Sequence, residues 1–234
     1  MEVFSGKIYQ ETEICIIDIQ RLFCWYSSNF LNHSSFFSKG ETIKSCNFPK
    51  QIFSEREIET INNFKTLKKQ FEWMSARIGL KNLVKNKYPY IPYHNIETGK
   101  EKNGAPWIKC LPYLNVSISH SGRYAVAAIN EKQKTGTDME ELKTINTRHL
   151  LHAGFSKKEK ESLYSDNYRE ILKLWTIKES YLKYIKKGFN ESLKKVEIIK
   201  DKIYHRSMPV ENISKASFFL SDNYVLSFVC ENYE

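Results

Sequence analysis

The sequence predicts an α+β fold made of two similar halves, related by a pseudo-twofold axis, with helices packed on an antiparallel sheet in each. Two observations carry this prediction: helix-like and strand-like patterns alternate along the 234 residues, and one helix-start motif occurs twice. We place the halves at residues 1–110 and 111–234 and expect the active site in the cleft between them.

The elements follow from hydrophobic spacing and from turn residues. Ile14, Ile16 and Ile17 supply a first strand, and apolar residues at helical spacing mark the helices. The first half is predicted to hold a strand at 13–19, helices at 55–63 and 66–85, and a long loop over 89–106. The second half is predicted to hold strands at 114–120, 123–130 and 135–140, helices at 157–164 and 168–187, and strands at 195–204, 214–220 and 223–230.

The repeated motif is Phe-Ser-x-x-Glu, at residues 53–57 and again 102 positions later at 155–159. Each Ser-x-x-Glu unit is typical of a capping box that begins a helix. At the same offset the chain aligns Trp73 with Trp175, Leu80 with Leu182, Lys81 with Lys183 and Arg77 with Glu179. One half would then present cations and the other carboxylates, which suits an anionic ligand with a metal.

Two carboxylates lie in the segment Gly136-Thr-Asp-Met-Glu140. Because Asp138 and Glu140 are two residues apart, both side chains leave the same face of a strand. Like charges so placed repel each other unless a cation or a proton intervenes, and oxygen ligands favour a hard cation such as Mg²⁺. A polar turn after Gly136 is the alternative interpretation of this segment.

A third carboxylate, Glu179, lies one helical turn before Lys183 in the helix predicted at 168–187. Taken alone, the two residues are better explained by an exposed ion pair, which contributes only a few tenths of a kcal/mol. Taken with Asp138 and Glu140, they favour a site that holds a metal against a phosphate.

The segment from Val116 to Gly122 alternates apolar residues with serines before a tight turn. Ser119 and His120 end this strand, where a hydroxyl and an imidazole suit an anion. A serine nucleophile activated by His120 is disfavoured because strand neighbours point to opposite faces. A histidine that is merely satisfied at a strand end remains the alternative.

These motifs together resemble the larger, Sfp-type 4′-phosphopantetheinyl transferases. That family shows an N-I-S-H-S-like strand, then G-x-D-x-E, then W-x-x-K-E-x-x-x-K. The corresponding segments here are residues 117–121, 136–140 and 175–183, in the same order and over roughly residues 50 to 230.

The resemblance implies transfer of the phosphopantetheinyl arm of coenzyme A to a serine of an apo acyl or peptidyl carrier protein, with Mg²⁺ required. The second product is adenosine 3′,5′-bisphosphate. The resemblance implicates three carboxylates in binding the metal: Asp138, Glu140 and Glu179, of which Glu179 is also the proton acceptor. It implicates Ser119, His120 and Lys183 in binding coenzyme A. Arg77 and Lys81 are further coenzyme A candidates, which rest on the repeat and on a looser match to the family.

Three positions depart from the family pattern. Ala105 stands where a lysine near coenzyme A is usual, so this contact is either absent or moved to another residue such as Lys109. Ser117 replaces an asparagine, and Lys186 replaces a glycine. These departures concern the contacts to coenzyme A and leave the carboxylates in place.

The composition favours an anionic partner. Lys and Arg total 36 against 27 Asp and Glu, so the net charge is +9. We find no RNA-binding signature and no run that would span a bilayer, and we expect neither nucleic acid nor membrane as a partner. Five cysteines without paired spacing indicate a reducing cytoplasm, and we expect a monomer. The open alternatives are another Mg²⁺-dependent phosphotransferase or nuclease, and a non-enzymatic basic binding module.

Overall fold

Two antiparallel sheets, each packed against a long helix, position the candidate site. The computed structural model describes residues 2–9, 11–30, 50–142, 147–163, 167–220 and 223–232. The combination of helices and antiparallel sheets confirms the predicted α+β class.

The elements are numbered in chain order. The first group comprises β1 (Glu2–Tyr9), β2 (Thr12–Asp18), α1 (Ile19–Phe30), α2 (Glu55–Asn62), α3 (Leu67–Lys87), β3 (Thr98–Lys100) and β4 (Pro106–Ile108). The second group comprises β5 (Asn115–Ser121), β6 (Tyr124–Asn130), β7 (Thr135–Glu141), α4 (Thr147–Gly154), α5 (Lys157–Ser162) and α6 (Tyr168–Tyr184). The last group comprises β8 (Val196–Ile199), β9 (Lys202–His205), β10 (Met208–Pro209), β11 (Ile213–Leu220) and β12 (Tyr224–Glu231).

The first sheet has the strand order β1-β2-β6-β5 and is covered by α3. Its centre is small: β6 contributes four consecutive buried residues from Ala125 to Ala128. Gly79 of α3 lies directly over Ala127, where an added Cβ would stand 3.0 Å from the alanine Cβ. Small residues on both elements therefore let the helix approach the sheet closely, and Phe71 and Leu80 fill the core beside this contact.

The second sheet has the order β11-β12-β7 and packs against α6. Gly136 of β7 lies against the helix backbone: an added Cβ would stand 2.1 Å from the carbonyl oxygen of Ser180 and 2.4 Å from the nitrogen of Tyr184. The glycine of the G-x-D-x-E motif is thus needed for close approach, and that approach brings Glu179 and Lys183 beside β7.

The repeated motif forms the same buried unit twice. Both serines cap their helices, and both glutamates return a hydrogen bond to the cap nitrogen. The Glu57 carboxylate also accepts a hydrogen bond from Lys81 Nζ at 2.8 Å, and the Glu159 carboxylate accepts one from Lys178 Nζ at 2.7 Å. The lysine that shares the contacts of Lys81 is therefore Lys178, and the alignment of Lys81 with Lys183 is wrong.

Several elements differ from the sequence-based prediction. The strand expected at 195–204 is the hairpin β8–β9, because Lys200 and Asp201 adopt φ of 48° and 64° and reverse the chain. The patterns also missed β1, α1 and α4. The boundary at residue 110 separates strands that belong together, since β5 and β6 lie in the same sheet as β1 and β2.

We predict that Gly136→Ala lowers the free energy of unfolding by about 1–3 kcal/mol, the usual cost of overpacking. The added methyl group meets main-chain atoms of α6, which cannot rotate away as a side chain would. Urea unfolding measures the change. Gly6→Ala is the matched control, because its Cβ would meet only the ring of the exposed Phe4, at 3.2 Å. Equal stability of the parent and Gly136→Ala would contradict the close approach.

Candidate active site

The motif residues meet where the two sheets adjoin. β5 is the edge strand of the first sheet, β7 is the edge strand of the second, and α6 lies against β7. Strand alternation directs one face of β5 towards β7 and the other towards α3. The carboxylates and the cations therefore come from different elements and converge on the end of β5.

Asp138 is the centre of this junction and is buried. Its Oδ1 accepts hydrogen bonds from Ser119 Oγ and from Lys183 Nζ, both at 2.7 Å. Lys183 Nζ also donates to the carbonyl oxygen of Ile118 at 3.2 Å. The other carboxylate oxygen, Oδ2, is buried without a hydrogen-bond partner, so one acceptor is oriented without a cation or a donor to satisfy it.

Glu140 and Glu179 complete the group of carboxylates. Ser121 Oγ donates to Glu140 Oε2 at 2.8 Å. Burial and then the negative charge of Asp138 raise the pKa of Glu179 to about 7, with a further contribution from Glu140 and opposition from Lys183. The three carboxylates therefore interact electrostatically, and a bound cation would relieve their repulsion.

The donor chemistry of these residues fits a hard divalent cation. They offer carboxylate oxygens, one of them an orphaned buried acceptor. Among the described residues, however, no group of three or more His, Cys, Asp or Glu side chains is already gathered as metal ligands. The carboxylates would have to close around an ion, and Lys183 supplies the positive charge beside Asp138 in this arrangement.

His120 points away from Ser119, towards α3. Its Nδ1 lies 3.8 Å from Glu72 Oε2, whereas Ser119 bonds to Asp138 on β7. Burial lowers the pKa of His120; Glu72 opposes that shift, and the positive charges of Lys69, Lys183 and Arg77 add to it. The divergence of the two side chains agrees with the sequence argument against a serine nucleophile activated by this histidine.

Cations of α3 and α6 act on His120, and two of them, Arg77 and Lys183, also act on Lys100. Burial, then the charges of Arg77 and Lys183, lower the pKa of Lys100 on β3. Lys69 Nζ lies 2.7 Å from Glu72, which is the acidic group on this side. An anion would relieve the mutual repulsion of these cations, so the arrangement suits phosphate oxygens.

Arg77 is buried, and its guanidinium lies over the Trp73 ring, 4.3 Å from the ring centroid. Its Nε is buried without a hydrogen-bond partner. Burial lowers the pKa of Arg77 to about 10. The positive charge of the buried Arg77 contributes to lowering the pKa values of His120 and Lys100.

Lys81 is placed differently from the other predicted coenzyme A residues. It is fully buried, and its ammonium donates to the carboxylate of Glu57 and to the carbonyl oxygens of Tyr93 and Ile96, at 2.8, 3.1 and 2.7 Å. Because all three donors are used inside the core, we assign Lys81 a structural role instead of a contact with coenzyme A.

Sequence reasoning missed Lys69, Glu72 and Lys100. Lys69 and Glu72 lie on the same helix as Arg77, and their spacing from it was the available signal. Lys100 ends the short strand β3, which the hydrophobic pattern did not reveal. Lys109, suggested as the replacement for the lysine absent at Ala105, is exposed and lies 3.6 Å from Glu97, whereas Lys100 stands within the electrostatic range of Arg77 and Lys183.

None of the described helices combines the length and the apolar character that a bilayer crossing requires.

Comparison with known proteins supports the resemblance. Residues 134–229 match the model of the 4′-phosphopantetheinyl transferase superfamily. The 4′-phosphopantetheinyl transferase Sfp of Bacillus subtilis (strain 168) is 33% identical over 100 residues, which cover 41% of this chain and 44% of the relative. The human L-aminoadipate-semialdehyde dehydrogenase-phosphopantetheinyl transferase is 27% identical over 159 residues, which cover 60% of this chain and 50% of the relative.

The matches confirm that the second half of the chain is similar to Sfp-type 4′-phosphopantetheinyl transferases. A further 4′-phosphopantetheinyl transferase from Bacillus subtilis is 32% identical over 98 residues, which cover 41% of this chain and 43% of the relative. The chain thus spans about half the length of the curated relatives that it matches.

We predict that Glu179→Gln stabilises the metal-free protein at pH 8 but not near pH 4.5. The raised pKa of Glu179 means that the folded state binds the proton more tightly than the unfolded state. Stability is therefore lost as pH rises from about 4.5 to about 7, and glutamine removes this loss. Urea unfolding in EDTA at both pH values measures it.

The control for this prediction is Glu170→Gln, which changes an exposed carboxylate on the same helix. Its effect on stability should be small at both pH values. If Glu179→Gln changed the unfolding free energy equally at pH 4.5 and pH 8, the like-charge repulsion inferred for the site would be absent.

Proposed function

We propose that this protein transfers the 4′-phosphopantetheinyl arm of coenzyme A to a serine of an apo acyl or peptidyl carrier protein, with Mg²⁺ as cofactor. The observation that carries the proposal is the meeting of all three motif segments at Asp138, where Ser119 and Lys183 bond to one oxygen and the other is left unpaired.

The metal would be held by Asp138, Glu140 and Glu179. When bound, Mg²⁺ neutralises charge on the pyrophosphate of coenzyme A, the main requirement of phosphoryl transfer. The unpaired Asp138 oxygen and the like-charge repulsion on Glu179 support this assignment. The residues themselves orient the phosphates and exclude water from the partly buried junction.

The phosphates of coenzyme A would be bound by Lys183, His120 and Lys100, with Ser119 at the same junction and Arg77 contributing its charge from behind. The support is the set of cations near His120 and Lys100: burial lowers the pKa values of both groups, and the positive charges of Arg77 and Lys183 lower them further. Lys100 takes the place proposed from sequence for Lys109.

Glu179 would accept the proton of the carrier serine at a carboxylate oxygen, directly or through water. A general base works best with a pKa near the working pH. In the metal-free site, burial and the negative charge of Asp138 raise the pKa of Glu179 to about 7, which shows that this environment favours the protonated carboxyl group.

We further propose that the halves are related by a pseudo-twofold axis and that the site lies in the cleft between them. The duplicated buried units of Glu57 with Lys81 and Glu159 with Lys178 support this relation. The shared sheet of β1, β2, β5 and β6 favours a boundary at residues 131–134, next to the start of the family match at residue 134.

The partners follow from charge and from the reaction. A carrier protein is an acidic partner that suits the net charge of +9. Cys24 and Cys110 are exposed free thiols, which supports a reducing cytoplasm. We propose that the protein acts there as a monomer, without nucleic acid or membrane as partner.

The test is incubation of an apo-carrier protein with coenzyme A and Mg²⁺, followed by mass spectrometry of the carrier. We expect a phosphopantetheinyl adduct and release of adenosine 3′,5′-bisphosphate. Glu179→Gln should lower turnover by about 10²- to 10⁴-fold, the usual loss when a general base is removed.

Controls on the same helix separate charge from position. Glu170→Gln and Lys173→Ala change an exposed ion pair of α6 and should leave turnover within a few-fold of the parent.

Two other outcomes of the assay would favour the alternative functions. Consumption of coenzyme A without modification of the carrier would indicate another phosphotransferase. Apo-carrier and coenzyme A that both remain unchanged would indicate a binding module.

A further inference from the structure

The alternating serines of β5 make three different contacts with β7. Ser117, Ser119 and Ser121 lie two residues apart, so their side chains share one face of the strand. That face meets the edge of the second sheet. The hydroxyl groups join the two edges by hydrogen bonds, some with main-chain N–H groups of β7 and others with its carboxylate oxygens.

Ser117 contacts only main chain in this interface: its Oγ accepts the hydrogen bond of the Thr137 N–H at 2.9 Å. Ser119 donates to the Asp138 carboxylate at 2.7 Å. Ser121 donates to Glu140 Oε2 at 2.8 Å and accepts the Glu141 N–H at 3.1 Å. The carboxylates of Asp138 and Glu140 are thus each held by the hydroxyl of one serine.

The direction of the Ser121 bond is fixed by its second partner. The hydroxyl group has a single proton, and an ionised carboxylate can only accept. Because the Glu141 N–H points its own proton at Ser121 Oγ, the serine proton is directed at Glu140. The main chain of β7 thereby orients the serine, and the serine orients the glutamate.

We propose that Ser121 is a positioning residue that holds Glu140 in the orientation needed to bind the metal, as Ser119 does for Asp138. This inference rests on the proposed function, because it assigns Glu140 to the metal. A hydrogen bond to Oε2 restricts the side-chain rotamers of Glu140 and so fixes the orientation of its carboxylate beside β5. Outer partners of this kind typically change metal affinity by about 10- to 100-fold when removed.

The test measures binding of Mn²⁺, as a probe for the site, by the electron paramagnetic resonance signal of the free ion. Ser121→Ala should weaken Mn²⁺ binding about tenfold. Ser121→Thr keeps the hydroxyl group on a residue suited to a strand and should restore binding to within a few-fold of the parent.

Ser117→Ala is the matched control, because it removes a hydroxyl from the same face of the same strand without touching a carboxylate. It should lower the melting temperature and leave Mn²⁺ affinity unchanged. Equal losses of affinity in Ser117→Ala and Ser121→Ala, or unchanged affinity in Ser121→Ala, would overturn the positioning role.

Asp138→Ala separates this inference from the proposed function. If the parent binds Mn²⁺ and Asp138→Ala does not, the metal site stands, and the serine variants alone decide the role of Ser121. If the parent fails to bind Mn²⁺ up to millimolar concentration, both the metal assignment and the positioning role are overturned.

Discussion

The carboxylate of Asp138 is the contact on which the rest of the site depends. It joins the edge of the first sheet, through Ser119, to the last helix of the motif set, through Lys183. Close packing of α6 on Gly136 makes this contact reachable. Because two donors meet one oxygen and the other oxygen has no hydrogen-bond partner, the junction is a structural connection whose remaining acceptor supports the proposed metal site.

Carboxylates predominate on one side of this junction and cations on the other. The carboxylates of β7 and α6 have Lys183 beside them, and the cations of α3, to which β3 adds Lys100, have Glu72 beside them. Each group is unfavourable alone: like charges contribute to the raised pKa of Glu179 and to the lowered pKa of His120. A ligand that combines phosphates with a divalent cation satisfies both groups at once, which is how the fold favours the proposed substrate.

Sequence spacing predicted the local part of the site and failed on the part that needs the fold. The two-residue alternation of a strand placed Asp138 and Glu140 on one face, and the helical repeat placed Lys183 one turn after Glu179. The pairing of Lys81 with Glu57 was not accessible, since a constant offset cannot show which lysine turns inward. Lys100 likewise reaches the site only because the β3–β4 hairpin is folded beside it.

The most direct test of the account is calorimetric titration of coenzyme A into the protein, with saturating Mg²⁺ or with EDTA. We predict that removal of Mg²⁺ weakens coenzyme A binding in the parent. In Asp138→Ala the affinity should be the same with Mg²⁺ and with EDTA, because the carboxylate that couples metal to phosphate is gone. Equal affinity of the parent under the two conditions would contradict a site in which cations and carboxylates share one metal-bound ligand.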